Sequence, residues 1–143
     1  MEETLAPRGD ADSSPISIAI IELVGGDPLL RCIRCAVVEA NKTQSEVLVI
    51  CRASSNRGAA EFGYDRLSVV EKAGETVLER RLAAFQHSKS DVLVLIEDTT
   101  RPPEALIQEL QHRFVNDAVG AVWGHVHISY ALPASDRALG FLD

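Results

Sequence analysis

The chain lacks several features that would assign it to a broad class at once. It has only 3 cysteines, an odd number that builds no even disulfide framework and agrees with a reducing compartment. Basic residues are scarce, since Lys and Arg number 14 against 21 Asp and Glu, and the net charge of −7 argues against non-specific binding to nucleic acid or anionic membranes. No apolar run approaches the ~20 residues that span a bilayer. Residues 1–15 are acidic and polar, which predicts a disordered tail rather than a signal peptide. We therefore expect a cytoplasmic protein.

Alternating strand-like and helix-like segments dominate what is present. A length of 143 residues makes one domain, over 16–143, the default. The predicted strands are Ile16–Ile21, Glu46–Cys51, Leu67–Val70, Asp91–Ile96 and Val119–Ile128, and the predicted helices are Pro28–Ala40, Gly74–His87 and Pro103–Phe114. This order predicts an α/β fold, a three-layer α/β/α sandwich around a mainly parallel sheet with right-handed crossovers.

The helix predicted over Gly74–His87 has an amphipathic pattern. Its apolar side chains lie near one face, and that face also carries one cation; the set is Val77, Leu78, Arg81, Leu82 and Phe85.

The most informative segment is the fourth predicted strand together with the turn after it. An apolar run from Val92 to Ile96 leads directly into two adjacent carboxylates, Glu97 and Asp98. Ligands of open α/β sheets bind beyond the carboxyl ends of such strands. Two acids at that place suit a hard divalent cation, or a polar ligand carried by it. The alternative is that both acids only begin the turn and cap the next helix.

Two further pairs of residues are weaker candidates. Cys32 and Cys35 form a C-x-x-C, but Asp27 and Pro28 predict a helix start that places Cys32 in the second turn, as a small buried apolar residue. His125 and His127 lie on one face of a strand and could bind a transition metal, although no third ligand occurs at suitable spacing.

The order of several motifs resembles a known family. The motifs are Arg81-x-x-Ala84-x-x-x-x-Lys89-x-Asp91, the apolar strand, Glu97-Asp98, Pro102-Pro103-Glu104-Ala-Leu106, and Val119-Gly-Ala-Val-Trp-Gly124. In this order they resemble family 2 glycosyltransferases of the GT-A fold, over about residues 16 to 128. The resemblance implies a GT-A/Rossmann-like domain that binds a nucleoside-diphosphate sugar for glycosyl transfer.

The resemblance also implies roles for individual residues. Asp98 would contact Mn²⁺ or Mg²⁺, Glu97 would assist it, and Arg81 would neutralise a phosphate. The family's nucleotide-binding acid at the end of the second strand is replaced by Cys51 and Arg52, and Glu22 falls near the base pocket.

The family's acceptor half, with its catalytic base, would lie beyond residue 143. The resemblance therefore implies a domain truncated at its C-terminus, with the catalytic residues unknown, and Ala138–Leu142 looks like the start of another element. The alternative function is a catalytically inactive, truncated structural or interaction module, completed by a missing C-terminal half or by a homo-oligomer.

Overall fold

A computed structural model of the protein describes residues 16–54, 59–116 and 120. Its elements are β1 (Ile16–Ile21), α1 (Gly26–Thr43), β2 (Glu46–Ile50), a short 3-10 helix (Ala59–Phe62), β3 (Leu67–Val70), α2 (Val77–His87), β4 (Val92–Glu97) and α3 (Leu106–Phe114). The tail over 1–15, the histidine pair and, apart from Gly120, the fifth predicted strand lie outside the described residues. Among the described helices, none is long and apolar enough to cross a bilayer.

The sheet is parallel throughout, with strand order β3-β2-β1-β4. Helices α1 and α3 pack on one face of the sheet, where Ile18, Ile33 and Ile107 belong to one buried cluster. Helix α2 packs on the opposite face, where Ala19 and Ala84 belong to a second cluster. The predicted three-layer α/β/α fold is therefore confirmed, as a small Rossmann-like arrangement of four strands and three helices.

Strand β1 lies between β2 and β4, and all six of its residues are buried. Burial on both faces of the sheet explains why nearly all residues of this strand are apolar. The exception is Ser17, whose hydroxyl donates to Glu46 Oε2 at 2.5 Å and also bonds the Ser90 hydroxyl at 2.7 Å. A buried hydroxyl is tolerated because it has these partners.

Helix α1 begins two residues earlier than predicted. Its N-cap is Gly25, at φ 74°, and it makes no side-chain capping hydrogen bond. Gly25 and Gly26 both have positive φ, which only glycine adopts without strain, so the chain turns directly from β1 into the helix. Cys32 is 2% exposed, which confirms that it is a core residue.

Helix α2 begins at a capping box. The Thr76 hydroxyl accepts a hydrogen bond from the Glu79 amide at 3.1 Å, and the Glu79 carboxylate accepts one from the Thr76 amide at 2.8 Å. These reciprocal bonds satisfy two backbone donors that a helix start leaves free.

The amphipathic face predicted for α2 points away from the sheet. Arg80, Ala83 and Ala84 are the buried residues of this helix, whereas most of the apolar side chains on the predicted face are exposed. The guanidinium of Arg80 donates to the carbonyls of Gly74 and Glu75, at 2.9 Å each, and so bonds the segment just before the helix. The small Ala83 and Ala84 let the helix approach the sheet closely.

Candidate binding site at the carboxyl edge of the sheet

The carboxyl ends of β1 and β4 form the position in this fold where a ligand is expected. From β1 the chain proceeds to β2 and β3 on one side, and β4 then lies on the other side of β1. In open parallel sheets, such a reversal of strand order opens a crevice above the two strands. Ile21 and Glu97, which end β1 and β4, are paired in register at this edge.

Asp98 directly follows β4 at this edge of the sheet and is 2% exposed. Its Oδ2 accepts hydrogen bonds from the amides of Gly25, at 2.7 Å, and Val24, at 3.0 Å. The Val24 amide also lies 3.3 Å from Oδ1. The amide of Asp98 donates to the Ile21 carbonyl at 3.0 Å, so the residue joins the end of β4 to β1.

These contacts place a carboxylate at the N-terminus of α1. Helix N-termini present free amides and partial positive charge, which favours an anion there. The N-cap residue Gly25 has no side chain, and the amides of Val24 and Gly25 just before the helix instead bind Asp98, about seventy residues away in the chain. Asp98 therefore holds the turn between β1 and α1, a role that no local spacing in the sequence indicates.

Glu97 and Arg81 meet at the same edge. The Arg81 Nη2 lies 2.7 Å from Glu97 Oε1, and their side chains are 45% and 38% exposed. The structure thus brings together two of the residues that the resemblance singled out, one from α2 and one from β4. Because neither side chain is buried, both are available to a ligand.

The remaining predicted residues lie on the neighbouring strand ends. The Glu22 amide donates to the Ile50 carbonyl at 3.0 Å, and its half-buried side chain lies beside Gly25. Cys51 is buried, and its amide donates to the Val70 carbonyl at 2.9 Å. Arg52 is exposed.

Arg52 lines an open groove of about 550 Å³ at the carboxyl ends of β2 and β3. Lys72, a residue that the sequence did not single out, adds a second cation to the groove, and Glu75 and Glu79 add two anions. The charges balance, so the groove does not select strongly for an anion or a cation.

Cys32 packs beside the end of β4. Its thiol lies 3.8 Å from the Glu97 carbonyl. Burial raises the pKa of the Cys32 thiol to about 12, and the charges of Asp98 and Cys35 act in the same direction. A thiol that stays protonated is a poor nucleophile, so the C-x-x-C does not resemble a reactive redox pair.

Comparisons with protein-family models, with curated proteins and with solved structures find no match for this chain. The geometry alone therefore defines the class of protein. It is a small α/β protein with a four-stranded parallel sheet, and the carboxyl ends of β1 and β4 carry one buried carboxylate and one half-exposed ion pair.

Proposed function

We propose that this protein binds a nucleoside-diphosphate sugar at the carboxyl ends of β1 and β4. The observation that carries the proposal is the half-exposed pair of Arg81 and Glu97 at this edge of the sheet. A guanidinium presents a rigid fork of donors that matches phosphate oxygens. Arg81 would break its ion pair with Glu97 and bind the diphosphate instead. Glu97 would then accept hydrogen bonds from hydroxyl groups of the sugar.

A divalent metal fits this site poorly as the side chains are placed. Mg²⁺ and Mn²⁺ prefer several oxygen ligands. Asp98 directs its carboxylate at backbone amides, and Glu97 is paired with Arg81. The described part of the chain contains no group of three or more His, Cys, Asp or Glu side chains arranged to hold a metal. The proposal therefore assigns the diphosphate charge to Arg81 and involves no metal-dependent step.

Calorimetric titration with UDP and GDP, each with and without Mn²⁺, tests the proposal. We expect Arg81→Gln to weaken nucleotide binding about tenfold or more, which corresponds to roughly 1.4 kcal/mol. The exposed pair contributes about 0–1 kcal/mol to stability, so the variant should remain folded. Glu104→Gln, which alters an exposed acid after β4, is the matched control and should bind as the wild type does.

Two results would contradict the proposal. One is the absence of binding of either nucleotide to the wild-type protein. The other is binding that Arg81→Gln leaves unchanged. Binding that requires Mn²⁺ and is lost in Glu97→Gln would instead indicate that a metal ion binds at the end of β4.

A second candidate function is that of a non-enzymatic interaction module, and the edge of β4 favours it. The Asp98 amide points towards β1, so by alternation the amides of Leu93 and Leu95 point outward. No strand among the described residues pairs with that outer edge. Exposed edges of this kind accept strands from other chains. Sedimentation velocity over a range of concentrations tests self-association: a dimer in the wild type that Leu95→Pro abolishes supports this function, and a monomer throughout contradicts strand pairing between copies.

A further inference from the structure

The open groove at the carboxyl ends of β2 and β3 is separate from the site proposed for the nucleotide sugar. Its volume of about 550 Å³ lies within the range of small-ligand sites. Arg52 and Ser54 line it from the segment after β2, and Lys72 and Glu75 line it from the segment before α2. Arg81 does not line this groove, so a ligand here and a ligand at the end of β4 need not share a side chain.

Backbone hydrogen bonds hold the two walls of the groove together. The Ala73 amide donates to the Cys51 carbonyl at 2.9 Å, and the Lys72 amide donates to the Ala53 carbonyl at 3.4 Å. Lys72 adopts φ 50°, a left-handed conformation that costs energy in a residue other than glycine. Such conformations persist where the surrounding structure maintains them, and they cluster at ligand sites. The bonds to the segment after β2 thus fix the position of Lys72 in the groove wall.

The two cations that line the groove are available to a ligand. Arg52 and Lys72 are exposed, and neither takes part in an ion pair with another described residue. Of the two acids in the groove, Glu79 is already engaged, because its carboxylate accepts a hydrogen bond from the Thr76 amide at 2.8 Å. Glu75 is exposed, so its carboxylate can turn towards solvent.

A third cation lies beneath the groove. Arg80 is 4% exposed, and its guanidinium donates to the carbonyls of Gly74 and Glu75, which both line the groove. The buried Nε of Arg80 has no hydrogen-bond partner, and no carboxylate in the described part of the chain forms an ion pair with this residue. Buried charges are normally paired, because removing them from water is costly. The side chains that line the groove balance in charge, so Arg80 makes the region as a whole positive.

We propose that this groove binds the phosphate group of a small phosphomonoester. A phosphomonoester carries about −1.5 to −2 charges at pH 7, which the two exposed cations of the groove neutralise. The guanidinium of Arg52 and the ammonium of Lys72 bind phosphate oxygens, and the Ser54 hydroxyl donates a further hydrogen bond. A free phosphate ion fills only a small part of about 550 Å³, so the organic part of the ligand occupies the remainder.

Amide NMR shifts of the isotope-labelled full-length chain test this proposal. The two probes are glycerol phosphate and inorganic phosphate, each titrated at constant ionic strength so that general screening stays the same. We expect glycerol phosphate to shift the amides of Ala53, Ser54 and residues 72–75. Inorganic phosphate should shift the same amides but bind more weakly, because it lacks the organic part.

Variants at the exposed cations identify the groups that bind phosphate. Arg52→Gln combined with Lys72→Gln should weaken the binding of glycerol phosphate about tenfold or more. Arg31→Gln combined with Arg34→Gln removes two exposed cations from α1 and is the matched control, which should bind as the wild type does. Arg81→Gln should also leave the binding of glycerol phosphate unchanged, so the two proposed sites can fail independently.

Three results would overturn the proposal. The first is the absence of amide shifts around the groove, or equal affinity in the Arg52 and Lys72 variant and its control. The second is equal affinity for the two probes, which would mean that the groove takes a free phosphate ion. The third is loss of glycerol phosphate binding in Arg81→Gln, which would place the phosphate at the end of β4.

Discussion

Replacing Asp98 by alanine should destabilise the protein strongly, whatever its effect on a ligand. The carboxylate is 2% exposed and accepts hydrogen bonds from two backbone amides, at 2.7 and 3.0 Å. Hydrogen bonds to a charged group contribute about 1.5–3 kcal/mol each. We therefore expect Asp98→Ala to lower the free energy of unfolding by about 3 kcal/mol, or roughly 10 °C in Tm for a chain of this size.

The conservative variant separates charge from shape. Asp98→Asn retains one carbonyl oxygen for the two amides but loses the negative charge at the start of α1, so about 1–1.5 kcal/mol should be lost. Asp91→Ala is the matched control, because Asp91 is exposed just before β4 and should change stability by less than about 0.5 kcal/mol.

Urea unfolding followed by far-UV circular dichroism measures these differences, and hydrogen exchange locates them. The amides of Val24 and Gly25 should exchange faster in Asp98→Ala, while amides at the centre of β1 follow only the global loss of stability. If Asp98→Ala unfolds at the same urea concentration as Asp91→Ala, Asp98 does not hold the turn before α1.

Three further predictions concern the start of α2 and the cysteines. A Cβ on Gly74, at φ 134°, would lie 2.3 Å from the Glu79 Cβ, so Gly74→Ala should lower the free energy of unfolding in urea by at least about 2 kcal/mol. Gly63 also has positive φ but open space around it, so Gly63→Ala should lower this free energy by about 1 kcal/mol. Equal losses in the two variants would exclude the clash. Hydrogen bonds from the amide and hydroxyl of Thr76 hold the pKa of Glu79 below 4.5 in the folded protein. The ionised Glu79 carboxylate therefore stabilises the fold above about pH 4.5, and this stabilisation is lost as the pH falls through the pKa of Glu79 in the folded state. Urea midpoints measured across that range should therefore depend less on pH in Glu79→Gln than in the wild type, and an unchanged profile would contradict the capping role. With a thiol reagent at pH 8, Cys35 should react while Cys32 stays protected until urea unfolds the protein, because burial raises the pKa of the Cys32 thiol to about 12. Rapid reaction of both cysteines in the folded protein would contradict the burial of Cys32.

Periodicity in the sequence located each described strand and helix because it reflects burial, but the helix ends were less accurate: α2 and α3 begin three residues later than predicted, and α1 ends three residues later. Strands β1 and β3 have the predicted bounds, and β2 and β4 differ by one residue at their ends. Parallel strands covered on both faces require apolar residues at every position, and few other structures do. The start of α1 was misplaced, because Asp27 and Pro28 match a local capping pattern whereas the helix begins at Gly26 with Gly25 as its N-cap, in a turn whose amides bind the distant Asp98.

Only part of the candidate site could be predicted from the sequence. The position of Glu97 and Asp98 at a strand end could be inferred from the apolar run before them. Their different environments could not, since Asp98 is buried by contacts with the turn after β1, and Glu97 is half-exposed beside α2. Neighbouring residues in the chain thus acquire different chemistry from partners that are distant in sequence.

The sequence by itself determined the class of fold, because burial of each strand on both faces dictates the residues that compose it. Only the tertiary structure decided which way α2 faces. The apolar period identifies a stripe on a helix but not its direction, and here Arg80, Ala83 and Ala84 are the buried residues of α2, so the stripe faces outward. The meeting of Arg81 with Glu97 depends on the same rotation, since it joins two elements that no local spacing relates.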